Sequence, residues 1–229
     1  MAAADQEPPT SEPPIPPEPT VHPEPPIPSE PTAHPGPGGR RPTASRCFVA
    51  VRPPPGLIDR LRSMDRPHRQ GLRWTGEEQW HVTLKFFAAV DQEALVGAID
   101  RWSRSPGGPS PARATSGPRP RPLGGRVWIV PVEGLDDLAG GLDTATADLE
   151  DPAAPGDRRR PFRGHLTLAR AHRPAALRGL PEPDLQVTWP VEEVLAFRSE
   201  LGRHGARHQV IGRWAVPPDR EDRSASPRR

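Results

Sequence analysis

One four-residue pattern occurs twice in this chain, and it narrows the folds open to it more than any other feature. It reads His81-Val82-Thr83-Leu84 and, much later, His165-Leu166-Thr167-Leu168. In an extended strand, residues two apart point to the same face. Each histidine therefore shares a face with its threonine, while Val82 with Leu84, and Leu166 with Leu168, turn toward a core. A single copy would be ordinary alternation, which produces such strings freely. Two copies with matched apolar positions suggest a duplicated unit whose halves face each other.

If the two strands lie side by side or across a groove, two imidazoles and two hydroxyls converge on one cavity. Imidazole titrates near 6.5, so one ring can accept a proton while the other donates one. Acid and base roles of this kind each contribute roughly 10²- to 10⁴-fold. The hydroxyls of Thr83 and Thr167 can donate to non-bridging phosphate oxygens without adding charge. In-line displacement at phosphorus wants a base behind the attacking oxygen and an acid behind the leaving one. The set needs neither a metal nor a cofactor, and none is expected.

Around the two motifs, strands and helices alternate. Arg46 to Val51 reads as a strand, and Leu57, Ile58, Leu61 and Met64 recur at helical spacing. His81 to Phe87 is a second strand, followed by a helix from Asp91 to Trp102 with Asp91 as its cap. Ser103 to Gly125 is dominated by proline, glycine and arginine, and allows at most a frayed edge strand near Ala112 to Thr115. Arg126 to Val132 is a strand and Leu135 to Leu149 a helix. His165 to Arg170, Val191 to Arg198 and Gln209 to Val216 are further strands, with a short helix near Ala175 to Arg178.

Fifteen of the 36 prolines precede Ser45. That segment has too few large apolar residues to offset the entropy of ordering it, so residues 1–44 are expected to form a disordered proline-rich tail. Residues 45–217 form the expected domain, and 218–229 a second disordered tail. Met1 to Pro9 carries Asp5 and Glu7 and lacks the pattern of a secretory leader, and no apolar run approaches bilayer length. Cys47 is the one cysteine, which fits a reducing compartment. A cytoplasmic, monomeric protein with no membrane association is therefore expected. A net charge of +2 argues against a large electrostatic footprint on nucleic acid and for a small anionic site.

These residues resemble the two-histidine phosphoesterases, and within them the bacterial RNA 2′,3′-cyclic phosphodiesterases, also called 2′-5′ RNA ligases. The resemblance runs from Arg46 to about Val216. It rests on Arg46-Cys47-Phe48-Val49-Ala50-Val51, on Arg73-Trp74 ahead of Trp80-His81-Val82-Thr83-Leu84-Lys85-Phe86, and on Arg160-Pro161-Phe162-Arg163-Gly164-His165-Leu166-Thr167-Leu168-Ala169-Arg170. It implies an α+β fold of two lobes, each an antiparallel sheet with outer helices, related by a pseudo-twofold axis around a central groove. It also implies hydrolysis of a cyclic phosphodiester at RNA ends or in cyclic nucleotides to a 2′-phosphate. His81 would be the proton donor to the leaving 3′ oxygen and His165 the proton acceptor from water. The spacing of the motifs is symmetric and does not choose between those roles.

By the same resemblance, Arg170 helps hold the phosphate. Strict alternation would put it on the face opposite His165, so the strand must end or bend near Ala169. Phe48 borders the base-binding side by resemblance, while the residues alone favour a buried strand phenylalanine. His204 and His208 are spaced as helical metal ligands would be, but Gly205 lies between them and a solvated turn is the better reading. Two other functions fit the same motifs: an RNA-end binding protein without turnover, and a related enzyme acting on another cyclic nucleotide or a 2′-5′ linkage.

Overall fold

The computed structural model describes residues 44–149, 161–202 and 205–219. The expected tails before Ser45 and after Pro217 lie almost wholly outside these residues, as does the stretch 150–160. In chain order the elements are β1 (Ser45–Val51), α1 (Pro55–Ser63), β2 (Leu72–Trp74), β3 (Val82–Val90), α2 (Gln92–Arg104), β4 (Arg113–Ser116), β5 (Arg121–Leu123), β6 (Val127–Glu133), α3 (Asp136–Ala145), β7 (His165–Ala171), β8 (Thr188–Pro190), β9 (Glu193–Gly202) and β10 (Gly205–Ala215). Short 3-10 turns precede β3 at Glu77–Gln79 and follow β7 at Pro174–Leu177.

Local chemistry accounts for the helices. Pro54 and Pro55 open α1, where a missing N–H costs nothing, and Leu57 and Leu61 bury one turn apart. The Asp91 side chain accepts from Ala94 N at 2.7 Å, capping α2, which buries Leu95, Ala98, Ile99 and Trp102. Before α3, Gly134 adopts φ +83°, and a Cβ there would collide with the Arg113 carbonyl of β4. Only glycine lets β6 turn so closely past β4.

All strand pairs are antiparallel, and they join in the order β10-β9-β1-β3-β7-β6-β4-β8, with β2 on β7 and β5 on β6. The two sheets expected from the sequence are thus hydrogen-bonded into one, because β3 and β7 meet directly at Val82 and Leu166. The centre of the order is palindromic: each histidine strand has its own outer partner, β1 for β3 and β6 for β7. In both halves that partner strand leads through a helix back to the histidine strand.

Side chains from α1, α2 and α3 share one core cluster with Val49, Val82, Leu84, Leu166 and Leu168, so the helices cover a single face of the central strands. Each fully buried leucine or valine there contributes about 1.5–3 kcal/mol. The opposite face carries a small separate cluster of Phe48, Ala50, Leu195 and Phe197. Chemistry is left to that second face. The region 103–125 holds two short strands, β4 and β5, where the sequence suggested one frayed edge.

Candidate active site

Val82 and Leu166 are paired across β3 and β7 and are both fully buried. Antiparallel register about that pair sets His81 opposite Thr167 and Thr83 opposite His165, all on the face away from the helices. The two imidazoles then lie on a diagonal, a relation in which Cα atoms are roughly 7–8 Å apart. All four side chains are half-buried, whereas Leu84 and Leu168 face the core. The register of one residue pair thus assembles the set.

Both motifs break their ladder at the same place. On β3, Thr83 pairs with Ala50 and Lys85 with Val49, leaving Leu84 as the extra residue; on β7, Thr167 pairs with Ile129 and Ala169 with Trp128, leaving Leu168. A bulge of this kind shifts alternation by one. It returns Arg170 to the face of His165 and Thr167, with Ala169 and Ala171 buried behind it and Arg170 exposed. This is the bend near Ala169 that a phosphate-facing Arg170 required.

Thr75, which the sequence did not single out, secures the β7 bulge. Its N–H donates to the Leu168 carbonyl at 2.8 Å. Its hydroxyl lies 2.8 Å from the Thr167 carbonyl and 2.9 Å from that of Leu168, and accepts from the Trp80 indole at 3.2 Å. Trp80 immediately precedes His81. One hydroxyl therefore joins the approach to the first histidine with the bulge after the second.

His165 Nδ1 is 2.8 Å from the Arg163 carbonyl. A carbonyl can only accept, so Nδ1 carries the proton and Nε2 is left for chemistry. Just before it, Gly164 passes so close to the Val132 carbonyl that no Cβ fits. His81 has the matching hydrogen bond to a backbone group two residues earlier, at Gln79. Both rings are thus oriented from the same relative position.

His81 stacks on Phe48 with centroids 4.6 Å apart and 24° between planes, and Phe48 stacks in turn on Phe197 at 4.8 Å. His208, on β10, packs edge-on against His81 at 5.4 Å and against Phe48 at 4.9 Å. The solvated turn expected around His208 is corrected: the residue is in a strand, and its Nδ1 is buried with no hydrogen-bond partner. Its aromatic neighbours come from β1, β9 and the approach to β3, which no local pattern reveals. His204 lies outside the described residues. Phe48 is 3% exposed, so it is both the buried strand residue and the platform under His81.

Burial pulls the His81 pKa down to about 4, and the nearby His208, Arg52 and Arg170 push the same way against the Gln79 hydrogen bond. Before substrate binds, this ring is therefore neutral at neutral pH. Burial also lowers the pKa of His208, with Glu78 opposing. Cys47 is raised to about 11 by burial, which keeps it an inert thiol. Among the described residues, no cluster of three or more His, Cys, Asp or Glu side chains is placed to hold a metal ion. Nor, among them, is any helix long and apolar enough to cross a membrane.

Comparison with known proteins bears on the family and the fold. A family model for LigT-like phosphoesterases matches residues 51–115. The RNA 2′,3′-cyclic phosphodiesterase of Thermus thermophilus is 31% identical over 159 residues, covering 66% of this chain and 78% of that protein. The chain belongs to the LigT-like, two-histidine phosphoesterase family. The likeness of this LigT-like phosphoesterase to solved structures extends over the described domain. The protein TT0787 of Thermus thermophilus superposes with a TM-score of 0.60 at 29% identity, over 76% of this chain and 99% of that one. Escherichia coli LigT bound to 3′-AMP shows the same fold, with a TM-score of 0.59 at 23% identity over 76% and 98% of the two chains.

Proposed function

We propose that this phosphoesterase opens the 2′,3′-cyclic phosphodiester of an RNA end or a cyclic nucleotide, giving a 2′-phosphomonoester. Water attacks phosphorus in line with the 3′ oxygen. His165 Nε2 takes a proton from that water, the P–O3′ bond breaks, and His81 donates its proton to the departing 3′ oxygen. Thr83, Thr167 and Arg170 donate to the non-bridging oxygens, where charge collects. Phe48 positions His81 and borders the base. The observation that carries this reading is the Val82–Leu166 register, which puts two imidazoles and two hydroxyls on one uncovered face.

An acid must be protonated, and His81 without substrate is not. An arriving phosphate anion supplies the missing charge: it offsets Arg52, Arg170 and His208 and raises the ring's pKa. The same low value favours a second reading, in which the groove holds an RNA end without turning it over. Two matched bulges and two matched hydrogen bonds support the pseudo-twofold, two-lobed origin of the site.

Incubation with 2′,3′-cyclic AMP and separation of 2′-AMP from 3′-AMP tests the proposal. We expect 2′-AMP as the product, formed equally well with a chelator present. His81→Ala and His165→Ala should each lower kcat by roughly 10²- to 10⁴-fold. Binding without any turnover would select the second reading, and strong inhibition by the chelator would replace both.

A further inference from the structure

The reaction proposed above uses His81 and His165 and leaves His208, on the same face, without a task. Two residues after His208, Val210 pairs with Phe197, which pairs with Phe48, so the His208 side chain stands on the face of Phe48 and His81. β10 is three strands from β3 in the sheet order, about 14 Å away in a flat sheet. The His208 and His81 ring centroids are 5.4 Å apart, so the sheet curls and carries β10 over the His81 end of the groove. The Gln79 side chain fastens it there, donating to the Ala206 carbonyl at 3.2 Å.

Packing alone does not account for a histidine at this place. The ring meets Phe48, His81 and Phe197, all aromatic. A phenylalanine could meet the same rings and would not bury a nitrogen without a partner, as His208 does with Nδ1. A buried N–H without an acceptor is the rarer orphan, so the proton of the neutral ring belongs on Nε2. Nε2 lies outside that enclosure and has no hydrogen-bond partner among the described residues. The ring thus offers a donor to the groove beside His81. It does so without charge, because burial holds the His208 pKa below its ordinary value, with Glu78 opposing. A charge there would work against the proton that His81 must acquire, as Arg52 and Arg170 already do.

We propose that His208 is a third substrate-binding histidine, whose neutral Nε2–H donates to a sugar oxygen of the nucleotide beside the leaving 3′ oxygen. The non-bridging phosphate oxygens already have Thr83, Thr167 and Arg170. His208 approaches His81 from the β1 side, away from β7 and His165. That is the side on which the ribose lies when water arrives from His165 in line with O3′. The donor therefore selects a phosphate carried on a sugar over inorganic phosphate or a plain cyclic phosphodiester. This assignment rests on the proposed reading of the groove and adds to it a group that holds the sugar.

Binding and turnover by the full chain test it separately. In calorimetry at neutral pH, 2′-AMP should bind about tenfold more weakly to His208→Phe than to wild type, while inorganic phosphate binds both equally. His208→Gln, which keeps an N–H close to the Nε2 position, should recover most of the loss. In hydrolysis of 2′,3′-cyclic AMP, kcat/KM should follow the same order. If His208→Phe binds 2′-AMP as well as wild type does, the proposal is overturned and the ring is a packing element. An equal loss of 2′-AMP and phosphate also overturns it, since the sugar then has no part in the effect. So does a His208→Gln variant that recovers nothing. Binding in the expected order by a protein that turns over no cyclic nucleotide sinks the hydrolase reading and keeps His208 as a ligand of the sugar.

Discussion

At the scale of single residues, protonation of His81 links stability to substrate binding. Its folded pKa of about 4 lies below the ordinary 6.5, so protons favour the unfolded chain between those values. The stability that goes with the neutral ring is complete above about pH 6.5 and is lost as pH falls toward 4. We expect urea unfolding to lose up to about 2 kcal/mol less over that interval in His81→Phe than in wild type. An equal loss would contradict the burial of this ring. His208 is shifted in the same direction, so His208→Phe should flatten the profile further. Titration of the imidazole by NMR in the presence of 2′-AMP should move the His81 pKa upward, since the bound anion cancels the cations around it. No movement would remove His81 as the acid.

At the scale of elements, the two bulges and the segment from β2 to His81 decide what the groove contains. β2 runs beside β7, Thr75 closes the bulge at Leu168, and Trp80 carries the link to His81. We expect Thr75→Val, which keeps the shape and deletes the hydroxyl, to lower kcat about tenfold while KM changes little. Thr75→Ser should recover the rate; if it does not, the methyl packing matters and the hydroxyl does not. Alternation made β1, β3 and β7 legible, because Val82, Leu84, Leu166 and Leu168 mark the covered face. Helical stripes did the same for α1 and α2, while α3 stops at Ala145, short of the Leu149 suggested by its leucines. β2, β5 and β8 have three residues each, too few to show a period. His208 was misread because Gly205, between it and His204, looks like a turn, and only the β9–β10 pairing carries it to Phe48.

At the scale of the whole domain, helices on one face and histidines on the other follow from one sheet with a palindromic centre. β3 and β7 pair directly at a single position, so other contacts hold the halves in register. Lys85 on β3 reaches the Asp143 carboxylate of α3, the helix that leads to β7, at 2.5 Å. The duplication was visible in the repeated motif, but the joining of the halves into one sheet was not, since register between distant strands leaves no local trace. The central claim is that both rings act on one phosphate, and a double-mutant cycle tests it most directly. In hydrolysis of 2′,3′-cyclic AMP, His81→Ala/His165→Ala should be no slower than the slower single variant, because either loss already disables the shared transition state. Losses that multiply would mean that the two histidines serve separate events, and would contradict the account.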